Sequence, residues 1–218
     1  MKNMLSYLFM ILISSSLFGQ DEVKIGNHIW MTKNLDVDRF RNGDKIPEAK
    51  TMNDWLKAYM EKKPAWCYYV DQTTCNHTNE SYKMFGKLYN HFAVIDPRGL
   101  APKGWRIPTK QDFDDLVNVI GGDKLNGGVT LKSKDHWLDS RYPGTGESKF
   151  DALPGGLRNF GGDFNGILTR GEYWSSTLNP NNASQAYWAS FGYATPTYTG
   201  SKNGLNVGSG LSIKCIKD

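Results

Sequence analysis

The side chains of this 218-residue chain best suited to nucleophilic, metal or acid–base chemistry are its three cysteines, its four histidines and the carboxylates Asp112, Asp114, Asp115 and Glu172. Cys67 and Cys75 flank a polar loop, and Cys215 lies near the C-terminus. In an oxidising compartment a Cys67–Cys75 bridge is chemically reasonable; a Cys67–Cys215 bridge and unbridged thiols are the alternatives. A cysteine nucleophile needs a neighbouring base and a lowered pKa, and the apolar, strand-like surroundings of Cys67 and Cys215 suggest neither. His28, His77, His91 and His136 are scattered with no HxH or HxxxH spacing, so no locally built zinc site is expected. His91 reads as a packed core residue. Asp112, Asp114 and Asp115 fall at the start of a predicted helix, where its positive dipole end explains them. There is no Gly-x-Ser-x-Gly elbow, P-loop or GxGxxG motif.

That leaves non-covalent recognition. Tyr173, Trp174, Tyr187, Trp188, Phe191, Tyr193 and Tyr198 crowd the last third of the chain. In alternating strands one side faces the core and the other faces out. Trp174 and Trp188 are assigned to the core, which leaves Tyr187, Tyr193 and Tyr198 as candidate ligand-facing rings. Exposed tyrosine beside Asn and Ser suits a binding surface, because rigid rings give contact area at low entropic cost. Asn181 and Asn182, in Asn179-Pro180-Asn181-Asn182, are the accompanying amide candidates. The same four residues supply amide oxygens but no carboxylate, and hard Ca²⁺ wants some negative charge. They also make a good plain turn.

The elements that must position these groups read as α+β. The chain carries 7 Trp, 11 Tyr and 10 Phe among 39% hydrophobic residues, too many for a disordered chain. A net charge of +4 without clustered Lys/Arg argues against a nucleic-acid face. Strands are predicted over Lys24–Met31, Asn34–Phe40 and Ala65–Val70, with a turn at Arg41–Asp44. A helix over Thr51–Glu61 is capped by Thr51 with Asp54 at the capping-box spacing and presents Trp55, Leu56, Tyr59 and Met60. A second helix over Lys110–Ile120 has Thr109 and Asp112 as its caps, Phe113, Leu116, Val117 and Ile120 on one face, and Gly121-Gly122 as its stop. A helical turn is expected near Gly128–Lys132. Short strands follow at Tyr173–Ser176, Ala186–Phe191, Pro196–Tyr198 and Leu211–Ile216, separated by glycine-rich turns. Gly155-Gly156-x-Arg158 is read as packing and turn chemistry, with Arg158 a candidate partner for a buried carboxylate.

Residues 1–20 (MKNMLSYLFMILISSSLFGQ) place one cation before an apolar run and small residues after it. That order predicts a secretory signal. The run is shorter than the roughly 20 residues needed to span a membrane. Residues 21–218 are then one domain of about the usual single-domain size, exported to the periplasm, cell surface or exterior and lacking a transmembrane segment.

Several motifs are specific in combination. Gly26-Asn27-His28-Ile29-Trp30-Met31 with Lys33-Asn34-Leu35, Trp66-Cys67-Tyr68-Tyr69, Phe85-Gly86-Lys87-Leu88-Tyr89-Asn90 and Gly99–Thr109 (GLAPKGWRIPT) occur in order. Ala152-Leu153-Pro154-Gly155-Gly156, Tyr173-Trp174-Ser175-Ser176-Thr177 and Cys215-Ile216-Lys217-Asp218 complete the set. Together they resemble the Fibrobacter succinogenes major paralogous domain family over about residues 24–218. The resemblance implies an exported protein of a Bacteroidota- or Fibrobacter-type envelope, and a fold similar to C-type lectins: a single domain with two helices early and short antiparallel strands with long loops late. Relatives imply two cysteine arrangements. One is a pair at the places of Cys67 and Cys75. The other has a cysteine before the proline of Pro102-Lys103-Gly104-Trp105, where this chain has Ala101, which leaves Cys215 without that partner. The expected function is a non-catalytic module binding a glycan or protein, with no cofactor; the alternatives are a structural adhesion protein and an enzyme on a formylglycine-synthase-like scaffold.

Overall fold

The computed structural model describes residues 21–70, 79–121, 127–138, 142–192 and 204–217. The chain opens with a hairpin, β1 (Glu22–Ile25) and β2 (His28–Met31). The single strand predicted over Lys24–Met31 is therefore two, because Gly26 adopts φ +61° and reverses the chain. Next come α1 (Met52–Met60), β3 (Trp66–Cys67), a 3₁₀ segment (Asn79–Phe85), β4 (Leu88–Asn90) and α2 (His91–Val94). They are followed by α3 (Lys110–Val119), α4 (Gly127–Leu131), β5 (Gly155–Arg158) and β6 (Phe164–Ile167). The long pair β7 (Arg170–Asn179) and β8 (Asn182–Gly192) then leads to β9 (Leu205–Asn206), β10 (Gly210–Leu211) and β11 (Ile216–Lys217).

The capping chemistry sets both longer helices. Thr51 and Asp54 form a reciprocal capping box on α1, and Thr109 and Asp112 form one on α3, each satisfying two otherwise orphaned N–H groups. Gly121, at φ +108°, ends α3 as predicted. The apolar face of α1 is narrower than expected. Trp55 is sealed, whereas Met60 is 73% exposed.

A large sheet runs β3-β4-β10-β5-β7-β8-β9, with β6 on β5; a three-stranded sheet runs β1-β2-β11. The β5–β7 pair is parallel, and the other pairs are antiparallel. The strand predicted over Leu211–Ile216 is divided between the two sheets. Ser212 N–H donates to Glu172 O and Ser212 O accepts from Trp174 N, while Cys215 O accepts from Met31 N. One buried C-terminal segment thus stitches the sheets together. The Asn34–Phe40 segment forms no strand. Leu35 N bonds Ile213 O, Asn34 Nδ2 bonds Phe85 O, and the Tyr89 hydroxyl bridges Val37 N and O. Apart from one isolated bridge, Arg39 to Lys45, its polar groups go to separate parts of the chain, so no ladder forms.

Two motifs lock into each other. In β7–β8, the register shifts between Trp174 and Leu178, leaving Ser175-Ser176-Thr177 as a bulge. Ser176 N donates to Pro108 O, Thr177 Oγ1 accepts from Lys110 N, and Ser175 O receives His91 Nε2 at 2.9 Å. The bulge therefore caps α3 and anchors α2. Arg106 forks onto Asp112 at 2.6 and 3.0 Å. Burial works to raise the Asp112 pKa, but Arg106 and Thr109 hold it down at about 2. The Gly-Trp-Arg-Ile-Pro-Thr and Tyr-Trp-Ser-Ser-Thr motifs are thus two halves of one joint.

Trp174, Tyr89, Leu211 and Ile213 centre one apolar cluster; Trp30, Phe113, Phe150, Tyr173 and Phe191 centre a second. Trp55, Tyr69, Tyr82 and Phe85 centre a third. Trp188 is half-buried and packs against the first. The chain is α+β, dominated by sheet.

Candidate functional site

Asn181 and Asn182 lie at the exposed β7–β8 turn. The Asn182 side chain accepts from Ser184 N, and Asn179 Oδ1 accepts from Asn181 N. These amides build the turn first, as asparagines in turns commonly do. Tyr187 is half-buried, with Lys110 Nζ 5.8 Å from its ring centre. Tyr193 and Tyr198, like the Pro196–Tyr198 strand, Cys75 and His77, lie outside the described residues.

A hollow of about 400 Å³ opens beside this hairpin, between Ala183 and Ser184 of β8, Tyr59 and Met60 of α1, Phe92 and Val207. Tyr59 also packs on Phe160, ring centres 5.7 Å apart and tilted by 56°. Phe160 is 48% exposed. Both rings are braced from behind. The Tyr59 hydroxyl accepts from Asn206 Nδ2, and Gly208 lies so close to the ring that a Cβ would stand 2.3 Å from it. Phe160 sits on a tied turn. Asn159 N bonds Asp163 O, Gly162 N bonds Asn159 O, and the Asn159 and Asp163 side chains close the loop. Exposed Met52 continues the patch through Gly162, where a Cβ would lie 2.7 Å from Met52 Cγ. Sequence reasoning assigned Tyr59 to the helix's apolar face and passed over Phe160. The available signal was Asn159-Phe160-Gly161-Gly162, an aromatic residue set in turn chemistry.

The reactive side chains stand elsewhere. Cys67 and Cys215 are separate, buried thiols, and burial pushes both up to about 12. Neither is a thiolate near neutral pH. His91 is fully buried edge-on against Trp174 at 5.0 Å, and burial lowers its pKa to about 4 despite the Ser175 carbonyl. It is the packed core histidine that the sequence suggested. Arg158 does not meet the buried carboxylate expected for it. Its partners are the carbonyls of Ala49 and Gly162, both at 2.9 Å, and the rings of Trp55 and Phe164.

Glu172 is the most perturbed carboxyl. Burial raises it to about 7, against hydrogen bonds from Ser190 Oγ and Trp188 Nε1. The folded chain therefore holds an extra proton between about pH 4.5 and 7, and Glu172 withdraws stability as pH rises through that window. Glu172→Gln is expected to remove that loss, about 3 kcal/mol from the size of the shift. Melting temperatures of variant and parent at pH 4.5 and 7.5 check this; an unchanged difference between the two pH values contradicts it.

A polar cleft of about 600 Å³ is lined by residues including Asn34, Asp36, Lys134, Asp135, His136 and Asp151. Among the described residues no group of three or more His, Cys, Asp or Glu is placed to hold a metal ion, and no helix is long and apolar enough to cross a membrane.

The architecture is that of a sheet-rich α+β domain. The model of the Fibrobacter succinogenes major domain matches residues 23–217, and the chain belongs to that family. No curated protein and no solved structure matches it.

Proposed function

We propose that this protein is an exported, non-catalytic binding module of a bacterial envelope, with a C-type-lectin-like fold, and that it recognises a glycan. The observation that carries the reading is the braced Tyr59–Phe160 pair beside the hairpin hollow. Sugar rings present apolar faces that stack on aromatic planes and hydroxyls that bond amides. A site whose rings are fixed before binding loses little entropy on binding. The amide-rich turn supplies polar groups at the same edge. The aromatic surface thus comes from α1 and the 159–163 turn, alongside whatever the late tyrosines add. The charged-apolar-small order of residues 1–20 supports export.

A glycan array followed by affinity electrophoresis in envelope polysaccharide tests this. Phe160→Ala is expected to weaken binding about tenfold, the worth of one stacked ring, with melting lowered by only a few degrees because Phe160 is about half exposed. Capture of envelope protein alone, with no glycan retarding the chain, would assign it to protein adhesion instead.

A further inference from the structure

The polar cleft is lined by side chains of both charges, and two of them make no hydrogen bond or ion pair among the described residues. Asp21 is paired with Lys33 at 2.8 Å, and Asp36 is taken by Lys87 and the Tyr68 hydroxyl. Lys134 and Asp151 have no hydrogen-bonding or ion-pair partner for their charged ends among the described residues. Both flank Gly146, where a Cβ would lie 3.4 Å from Lys134 Cβ and 3.9 Å from Asp151 Oδ1. They thus lie near one another around Gly146, and both line the cleft. Asp151 and His136, both in the lining, adopt left-handed backbone at φ +51° and +75°. Asp and His are among the residues that tolerate this conformation best, yet it remains uncommon and gathers at binding sites. The floor also carries Asn34, buried, with its Oδ1 unpartnered among the described residues.

We infer that this cleft is a second binding site, independent of the ring patch, for a small zwitterion: a free amino acid or short peptide whose ammonium faces Asp151 and whose carboxylate faces Lys134. A volume of about 600 Å³ admits such a molecule. The lining also carries the carboxylate of Asp135, and a zwitterion meets both signs of charge there, which a neutral sugar or a simple ion does not.

Isothermal titration of the full chain with the twenty amino acids and alanyl-alanine tests it. At least one is expected to bind, and its N-acetylated and its C-amidated derivatives are each expected to bind at least tenfold more weakly. Asp151→Asn keeps a residue type suited to positive φ, and Lys134→Gln alters an exposed side chain; each should cost at least tenfold in affinity. Asp151 also attracts the buried Lys214, so the variants' melting temperatures are read in parallel. No binding by any probe, equal binding of the blocked derivatives, or an effect confined to Asp151→Asn with a lowered melting temperature would each overturn the assignment.

Discussion

Arg158→Ala is expected to cost the fold about 3–5 kcal/mol, the range for large buried truncations that also strand polar groups. Arg158 is 1% exposed. Its guanidinium satisfies two carbonyls, Ala49 O and Gly162 O, that lie 109 and 4 residues away in sequence. It also fills the space between Trp55 and Phe164, with ring centres 4.8 and 4.7 Å from Cζ. Alanine would leave a cavity beneath α1 and a bare carbonyl on each side of it. At about 2–4 °C per kcal/mol for a chain of this length, melting should fall by about 10 °C. Lysine at the same position should recover only part of this, since one ammonium cannot reproduce a planar fork that bonds and stacks together. A variant melting within 2 °C or so of the parent would show that the carbonyls find other partners. Because Gly162 belongs to the turn that carries Phe160, the same change should also loosen the ring patch.

Lys214→Met is expected to act in the opposite direction. Lys214 is fully buried in the segment that joins the two sheets, and its Nζ donates to Thr32 O at 2.6 Å. The ammonium lies 5.1 and 6.0 Å from the centres of Phe150 and Tyr173, and no carboxylate stands within ion-pair distance among the described residues. Burial lowers its pKa to about 7, with Asp151 pulling the other way from a distance. The unfolded chain therefore binds the proton more tightly than the folded one. For this group stability is lowest below about pH 7 and rises as pH climbs from there toward the ordinary lysine value. Methionine is similar in length and carries no charge, so the variant should be about 1–4 kcal/mol more stable near neutral pH. The gain should shrink steadily toward pH 10. Chemical denaturation at pH 6, 8 and 10 checks both sign and slope. A variant less stable than its parent at pH 6 would mean that the bond to Thr32 outweighs the desolvation of the amine.

The local chemistry of this fold was readable, and its long-range closure was not. Both capping boxes, the Gly121 stop and the turn at Arg41–Asp44 depend on residues within a few positions of one another, so Thr51, Asp54, Thr109 and Asp112 announced them. The pairing of β2 with β11 joins residues at the two ends of the described chain, and nothing local to Trp30 or Ile216 encodes it. The Asn34–Phe40 segment alternates like a strand because Leu35 and Phe40 must be buried, but its backbone partners come from separate parts of the chain. Met60 fits the helical period of α1 and still faces out, since periodicity gives a direction and not the extent of what covers it. At the candidate site, composition pointed to aromatic residues and amides. Of its three candidate tyrosines, Tyr187 is half-buried and Tyr193 and Tyr198 lie outside the described residues. Phe160, exposed on a glycine turn, carries no periodic signal that composition could single out.

Glu172, His91, Lys214, Cys67 and Cys215 are each sealed, and each is shifted mainly by burial. That pattern disfavours their charged forms.

The most direct measurement is NMR chemical-shift mapping of residues 21–218 as bacterial polysaccharide is added. The ring protons of Tyr59 and Phe160 and the amides of Ala183 and Ser184 are expected to shift together and to saturate at one affinity. Shifts that leave these residues unmoved and gather at any other surface would contradict the account.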